Sequence, residues 1–182
     1  MSIQSTSQQH LIISALAEDR PGIINDLSLA ITDAGCNILN SRMTVLGSAF
    51  AIMLRVQGSW SAIAKLETQL PGLQKKLILN IITRRAEEKE QQSSGLPYLV
   101  EVIALDQPGI IHHLASFFSS RNINILDMYT DSYQTSHGNT HMLSVNLTLN
   151  LPVTTQIAHL RDEFLDFCDS LNLDAVMEPV KG

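Results

Sequence analysis

Residues 19–24 read Asp-Arg-Pro-Gly-Ile-Ile, and residues 106–111 read Asp-Gln-Pro-Gly-Ile-Ile, at an offset of 87. The same offset aligns Cys-Asn-Ile-Leu at 36–39 with Ile-Asn-Ile-Leu at 123–126. A single offset that relates two separate pairs of segments indicates an internal duplication. The 182-residue chain is therefore predicted to hold two small domains of one plan.

Apolar periodicity gives both copies the same order of elements: strand, helix, two strands, helix, strand. In copy 1, residues 11–17 are strand-like, and apolar side chains from Ile23 to Ala34 recur at helical spacing. Gly35 and Asn122, residue types that tolerate a left-handed conformation, follow the first helix of each copy and are expected to end it. The order βαββαβ predicts an α+β fold of two tandem ferredoxin-like domains with antiparallel sheets.

The third strand of each copy alternates apolar and polar positions, which predicts one buried sheet face. The apolar positions are Phe50, Ile52, Leu54 and Val56 in copy 1, and Leu143, Val145, Leu147 and Leu149 in copy 2. Aligning 52–56 with 143–147 gives an offset of 91, so copy 2 is expected to have four additional residues between its middle strands. The closing strands are expected near 77–83 and 173–180.

The domain limits follow from a run without apolar residues at 87–95, Glu-Glu-Lys-Glu-Gln-Gln-Ser-Ser-Gly, which has the composition of a solvated linker. We predict an N-terminal extension at 1–9, domain 1 at 10–86, a linker at 87–96 and domain 2 at 97–180. The first strand of each domain is apolar on both faces. Because helices cover one face, the other is expected to pack against a second sheet or another protein.

Charge and cysteine content limit the function classes. A net charge of −6 has the wrong sign for a protein that neutralises phosphates, so direct nucleic-acid binding is not expected. Only 16% of residues are charged, which favours self-association into a homo-oligomer. Cys36 and Cys168 are expected to be small core residues in a reducing compartment. No apolar run is long enough to cross a bilayer, and a cytoplasmic location is expected.

The repeated Asp-x-Pro-Gly loop joins strand one to helix one, and two explanations for it stay open. Asp19 and Asp106 are favoured N-cap residues, and the prolines that follow suit a first helical turn. Capping does not account for Gly22 and Gly109, which lower helix propensity but let a ligand approach the backbone. Free N–H groups at a helix N-terminus would suit the carboxylate of such a ligand.

Asn37 and Asn124 follow the first helix, so each lies at the end of its domain opposite the loop. If the copies pair side by side, the loop of each copy faces the asparagine of the other. An asparagine amide can accept from an ammonium and donate to a carboxylate, whereas the alternative is a turn residue that binds local backbone. The predicted ligand-binding residues are Asp19, Arg20, Pro21, Gly22, Ile23, Asn37, Asp106, Gln107, Pro108, Gly109, Ile110 and Asn124.

These loops, each followed by Asn-Ile-Leu at the next strand, resemble those of ACT domains, the βαββαβ modules that sense amino acids. The resemblance runs from about His10 to Val180. More narrowly, the tandem is similar to a bacterial family that represses transcription of the glycine cleavage system. That resemblance implies contact with a DNA-bound LysR-type activator, glycine as the effector that relieves repression, and no DNA-binding domain.

Other side chains carry weaker signals. His112 and His113 adjoin the second loop, and His137 and His141 flank a hairpin, but without a nearby set of Cys or carboxylate ligands they do not predict a metal site. No nucleophile with an oxyanion hole is recognisable, so we expect a protein that is not an enzyme and needs no cofactor. Trp60 is expected to be partly buried, with a surface anchor as the alternative.

The leading hypothesis is an amino-acid-responsive transcriptional repressor that acts through protein contacts. Its site would equally serve a free-standing regulatory subunit of an amino-acid metabolic enzyme. A remnant of formyltetrahydrofolate deformylase, whose N-terminal ACT module has a similar loop, is a third alternative. That enzyme needs a separate catalytic domain. The residues at 133–137 form either a partner-contact loop or an idle hairpin tip.

Overall fold

The computed structural model describes residues 8–86, 95–135 and 138–180. The chain forms two compact units, Met1–Glu90 and Gln91–Gly182, and each is described by itself. Most of the predicted N-terminal extension and linker, together with His137, lies outside the described residues.

Both units have the predicted order of elements. Unit 1 contains β1 (Gln9–Glu18), α1 (Ile23–Asp33), β2 (Asn37–Leu46), β3 (Ala49–Gly58), α2 (Trp60–Leu77) and β4 (Asn80–Ala86). Unit 2 contains β5 (Gly95–Leu105), α3 (Ile110–Ser119), β6 (Asn124–Gln134), β7 (His141–Pro152), α4 (Ile157–Ser170) and β8 (Asp174–Pro179). The antiparallel sheets have the orders β2-β3-β1-β4 and β6-β7-β5-β8, which confirms two ferredoxin-like βαββαβ domains.

The helices cover one face of each sheet. In unit 1 alternate residues of β1, including Leu11 and Ile13, are buried against apolar side chains of both helices. In unit 2, Val100 and Val102 of β5 are buried in a core that includes Phe118 and Phe164. On the other face, large apolar side chains are exposed: Leu16, Met53 and Ile82 in unit 1, and Ile103, Leu105 and Val176 in unit 2.

The ends of the first helices follow the prediction. Gly35 after α1 has φ +83°, and Asn122 after α3 has φ +54°. Both lie in the left-handed region that ends a helix. Trp60 differs from prediction, because it opens α2 with 64% of its surface exposed and is not partly buried.

The closing strand of unit 1 begins later than predicted. Helix α2 continues past Pro71 to Leu77, and β4 starts at Asn80. Leu77 completes the buried stripe of α2 with Ile63, Leu66 and Leu70. An apolar residue at the junction of a helix and a strand fits either periodicity, so the pattern could not assign it.

The predicted offset of 91 in the third strands is wrong. Ile13 pairs with Leu54, and its counterpart Val100 pairs with Leu147, which gives an offset of 93. Unit 2 therefore has six additional residues between its middle strands. A two-residue error keeps every side chain on the same face, which is why alternation alone did not reveal it.

A β-bulge interrupts the second strand of each unit. The register shifts between Ile38 and Asn40 in β2, and at the corresponding place, Ile125 to Asp127, in β6. The extra residue reverses the alternation for the rest of the strand. Met43 consequently pairs with a residue of the helix-covered face.

Candidate ligand-binding site

The loop after the first strand has the same backbone conformation in both units. Gly22 is the N-cap residue of α1, with φ +95° and ψ −13°, and Gly109 is that of α3, with φ +98° and ψ −12°. This is the left-handed region, which L-residues with a side chain rarely adopt. The turn itself therefore requires both glycines, whether or not a ligand approaches them.

The predicted N-caps are wrong. Asp19 and Asp106 lie three residues before the glycine N-caps, and the prolines lie one residue before them rather than in the first turn. The left-handed glycine turns the chain into the helix and displaces the aspartates from capping positions. Instead, Asp19 N–H donates to Ser48 O at 2.8 Å, and Asp106 N–H donates to His141 O at 2.9 Å. These bonds hold each loop against the connection between the second and third strands of its unit.

The first turns of α1 and α3 have backbone N–H groups that could donate to a ligand. No described side chain accepts a hydrogen bond at the N-cap of α1 or α3. Helix α2 provides the contrast, because the Ser59 hydroxyl caps it by accepting from Ala62 N–H at 3.2 Å. The first-turn N–H groups of α1 and α3 therefore lack side-chain acceptors, and the helix dipole favours negative charge beside them.

In unit 1 this N-terminus opens onto a cavity of about 230 Å³. The lining residues are Asp19, Arg20, Pro21, Gly22, Ile23, Ile24, Asn25, Met43 and Phe50. The five predicted loop residues of unit 1 thus lie around one space. The apolar wall of Met43 and Phe50 was missed, because placing Met43 there depends on the bulge in β2.

Arg20 is directed toward the end of α2. Its Nη2 donates to Leu77 O at 3.2 Å, and a cation at the last carbonyls of a helix complements the dipole there. Gln107, the counterpart in unit 2, is neutral. The cavity of unit 1 therefore combines the carboxylate of Asp19 and backbone donors with an arginine that already has a partner.

The corresponding region of unit 2 differs in its wall. The Ser132 hydroxyl donates to Asp106 Oδ2 at 2.7 Å, so the loop carboxylate has a partner within its own unit. By strand register, Thr130 and Ser132 occupy the positions of Met43 and Val45. Two hydroxyl groups thus replace two apolar side chains.

The predicted asparagines lie far from the loop of their own unit. Asn37 pairs with Gln57, nine strand positions from Ser48, where the loop is held. At ~3.3 Å per residue this is about 30 Å. Asn124, opposite Asn150, is similarly far from the Asp106 loop. Neither asparagine joins its own loop, and the pairing of each with the loop of the other copy stays a prediction.

The described residues contain neither a group that could hold a metal ion nor a membrane-spanning helix. His112 and His113 are both exposed on α3, with ring centroids 5.9 Å apart. Within residues 8–86, 95–135 and 138–180, no three His, Cys, Asp or Glu side chains form a group that could hold a metal ion. In the same ranges, no helix combines the length and apolar character of a membrane span.

A sequence model of the ACT domain matches residues 9–83, the whole of the described unit 1 apart from its ends. Residues 9–83 therefore form an ACT domain, and unit 2 has the same βαββαβ fold. The chain consists of two tandem ACT-like domains. It is 29% identical over 167 residues to the glycine cleavage system transcriptional repressor of Escherichia coli K12, covering 92% of this chain and 88% of that one. The repressor of Shigella flexneri gives the same values.

Solved structures agree with two tandem domains of this fold. A structure provisionally named a glycine cleavage system transcriptional repressor superposes with a TM-score of 0.76 and 28% identity, covering 97% of this chain and 99% of the other. A protein of unknown function from Galdieria sulphuraria gives a TM-score of 0.77 at 22% identity, covering 96% and 100%. The second likeness supports the fold alone. The chain thus resembles a transcriptional repressor along nearly its whole length.

Proposed function

We propose that this tandem ACT protein represses transcription of the glycine cleavage system in response to a small amino acid, and that it does so by contacting a DNA-bound activator. The observation that carries the proposal is the cavity of unit 1, where an uncapped helix N-terminus and the Asp19 carboxylate border the same space. The resemblance to the named repressors supports the transcriptional role. A LysR-type activator, glycine and a cytoplasmic setting are the corresponding specific expectations.

The chemistry of the cavity suits a zwitterion. The N–H groups of the first turn of α1 would donate to the α-carboxylate, and Asp19 would accept from the ammonium group. In the reverse orientation Asp19 would repel the α-carboxylate of the ligand. The ammonium and carboxylate charges therefore fix the orientation of the ligand. Met43 and Phe50 would contact any side chain, which favours a small or apolar one.

The effector is expected to bind to unit 1. In unit 2 the Asp106 carboxylate already accepts from Ser132, and the wall carries hydroxyl groups. One amino acid per chain is therefore the expected stoichiometry. Glycine has five heavy atoms, and at most ~1.5 kcal/mol per atom gives about −7.5 kcal/mol, a dissociation constant of a few micromolar or weaker.

Titration calorimetry with a panel of amino acids tests the site. Met43→Glu would place a carboxylate in the cavity wall and is expected to abolish binding, whereas Thr130→Glu makes the equivalent change in unit 2 and should leave binding intact. Equal binding by both variants, or two amino acids per chain, would contradict the assignment to unit 1. Asn124→Ala and Asn37→Ala test the predicted contribution of the asparagines.

Co-purification tests the partner. The protein is expected to recover a DNA-bound activator, and the effector should release it, because an effector shifts this equilibrium only through different affinities for the two states. Recovery of an amino-acid metabolic enzyme with no transcription factor would contradict the repressor and favour a regulatory subunit. A salt-sensitive DNA complex formed without any partner would contradict the indirect mechanism.

A further inference from the structure

Charge is distributed very unevenly between the two units. Unit 1 has nine Lys or Arg against eight Asp or Glu, and unit 2 has three against ten. Their formal charges are therefore +1 and −7, which together give the −6 of the whole chain. Two domains of one fold thus differ strongly in net charge.

We define the open face of each unit as the sheet face not covered by helices. In unit 1, strand register places Arg42, Arg55 and Arg84 on this face, and Glu18 is its acidic residue. In unit 2, strand register places five carboxylates on this face: Glu101, Asp127, Asp131, Asp174 and Glu178. No lysine or arginine lies on the described strands of unit 2. The two open faces thus have opposite charge.

The two faces also share an apolar centre. Ile12 and Leu16 in β1 correspond to Leu99 and Ile103 in β5. On the last strand Ile82, 66% exposed, corresponds to Val176, 52% exposed. Beside these pairs the charge is reversed, since Arg84 lies opposite Ile12 and Glu178 lies opposite Leu99. The two open faces therefore have apolar residues at the same central positions, and residues of opposite charge at the same marginal positions.

We propose that the open face of unit 1 binds the open face of unit 2 in a second copy of this chain, and reciprocally, to form a two-fold symmetric dimer. Unlike faces attract, whereas two carboxylate-bearing faces would repel each other, so charge selects the pairing. Reciprocal pairing closes after two chains and uses all four faces. This inference does not depend on the amino-acid site.

The two open faces are large enough to form a stable dimer interface. Four strands ~4.8 Å apart and roughly 25–30 Å long give about 500 Å² per face. Two such contacts per copy bury roughly 1,000 Å² on each chain, or about 2,000 Å² in total, within the range of stable homodimers. Apolar side chains at the centre and charges at the margin are typical of such interfaces.

Sedimentation equilibrium of the full chain tests the dimer. Arg55→Glu/Arg84→Glu is expected to weaken dimerisation roughly tenfold or more, and so is Glu101→Arg/Asp174→Arg/Glu178→Arg, because each set gives the two faces the same sign of charge. Combining all five changes reverses the sign of both faces and should restore the dimer. The control Lys75→Glu/Lys76→Glu makes the same change of net charge at exposed residues of α2, outside both faces. It should leave dimerisation unchanged.

Restoration by the fivefold variant separates charge pairing from misfolding, because a damaged fold would not recover when further substitutions are added. Rising salt should weaken the parent dimer and leave its circular dichroism unchanged. A monomer at all concentrations would overturn the proposal. So would a dimer that resists both face variants, or a fivefold variant that stays monomeric.

Discussion

The backbone conformation of Gly22 is enough to explain why this residue is glycine. Its φ of +95° already demands glycine, so its presence is no separate sign of a ligand. A substitution there alters folding and the site together. Met43 is the better probe of binding, because it lies on an edge strand with its side chain half exposed in the cavity wall.

Gly22→Ala is expected to destabilise unit 1 by about 1–2 kcal/mol, the cost of a left-handed L-residue. A Cβ atom at this position would meet nothing within 4 Å, so crowding adds nothing. Gly22→Asn should cost less, because asparagine tolerates this conformation. Denaturant unfolding followed by circular dichroism measures both. An asparagine variant as unstable as the alanine variant would contradict backbone strain as the cause.

At the level of elements, α2 and β4 are joined by a two-point contact on the surface. Arg85 Nε donates to Glu67 Oε1 at 3.0 Å, and Arg85 Nη2 to Glu67 Oε2 at 2.6 Å. The hydrogen bonds from Arg85, followed by its charge, hold the pKa of Glu67 below its ordinary value of 4.5. The side chains of Arg85 and Glu67 are 43% and 31% exposed, so solvent screens the attraction.

The depressed pKa of Glu67 fixes the sign of a pH effect. A carboxyl group with a lowered folded pKa stabilises the fold above its ordinary pKa and loses this contribution as pH falls through the folded pKa. Glu67→Gln should therefore reduce the loss of stability between about pH 5 and pH 3, and high salt should shrink the difference. Parallel unfolding curves across that pH range measure it. Identical pH profiles would show that the ion pair has no effect.

The elements also show what the sequence could and could not predict. The order of strands and helices followed from periodicity, and Gly35 and Asn122 marked helix ends, because these signals are local. The late start of β4 after Leu77 and the bulges in β2 and β6 were missed, since hydrogen-bond register decides them. In the site, the loop residues were identifiable by repetition. Met43 and the Asp106–Ser132 bond depend on strand pairing that no motif records.

For the whole molecule, the two cysteines provide one chemical reporter for each unit. Cys168 is buried in unit 2, where burial and then the nearby Asp169 raise its thiol pKa to about 12. Burial also raises the pKa of Cys36 in unit 1, and the charge of Lys65 partly offsets that increase. Since the thiolate is the reactive form, neither cysteine is activated.

A thiol reagent at pH 8 is expected to modify Cys36 faster than Cys168, which should react only when unit 2 opens. Mass spectrometry of labelled peptides across a denaturant series would then give the stability of each unit separately. Cys36→Ser provides the control that isolates the buried thiol. Equal labelling rates in the native protein would contradict the burial of Cys168.

The bulges in β2 and β6 have a consequence for both surfaces of each unit at once. Leu39 is the surplus residue of the bulge in β2, and beyond it Met43 lines the cavity while Arg42 lies on the opposite side. Because Ile38 and Asn40 pair with the adjacent residues Val56 and Arg55, deleting Leu39 would join two segments that are already in register and would leave Met43 opposite Ile52. The strand can therefore lose this one residue without exchanging its two surfaces, whereas a register slip of the hairpin beyond it would exchange both together.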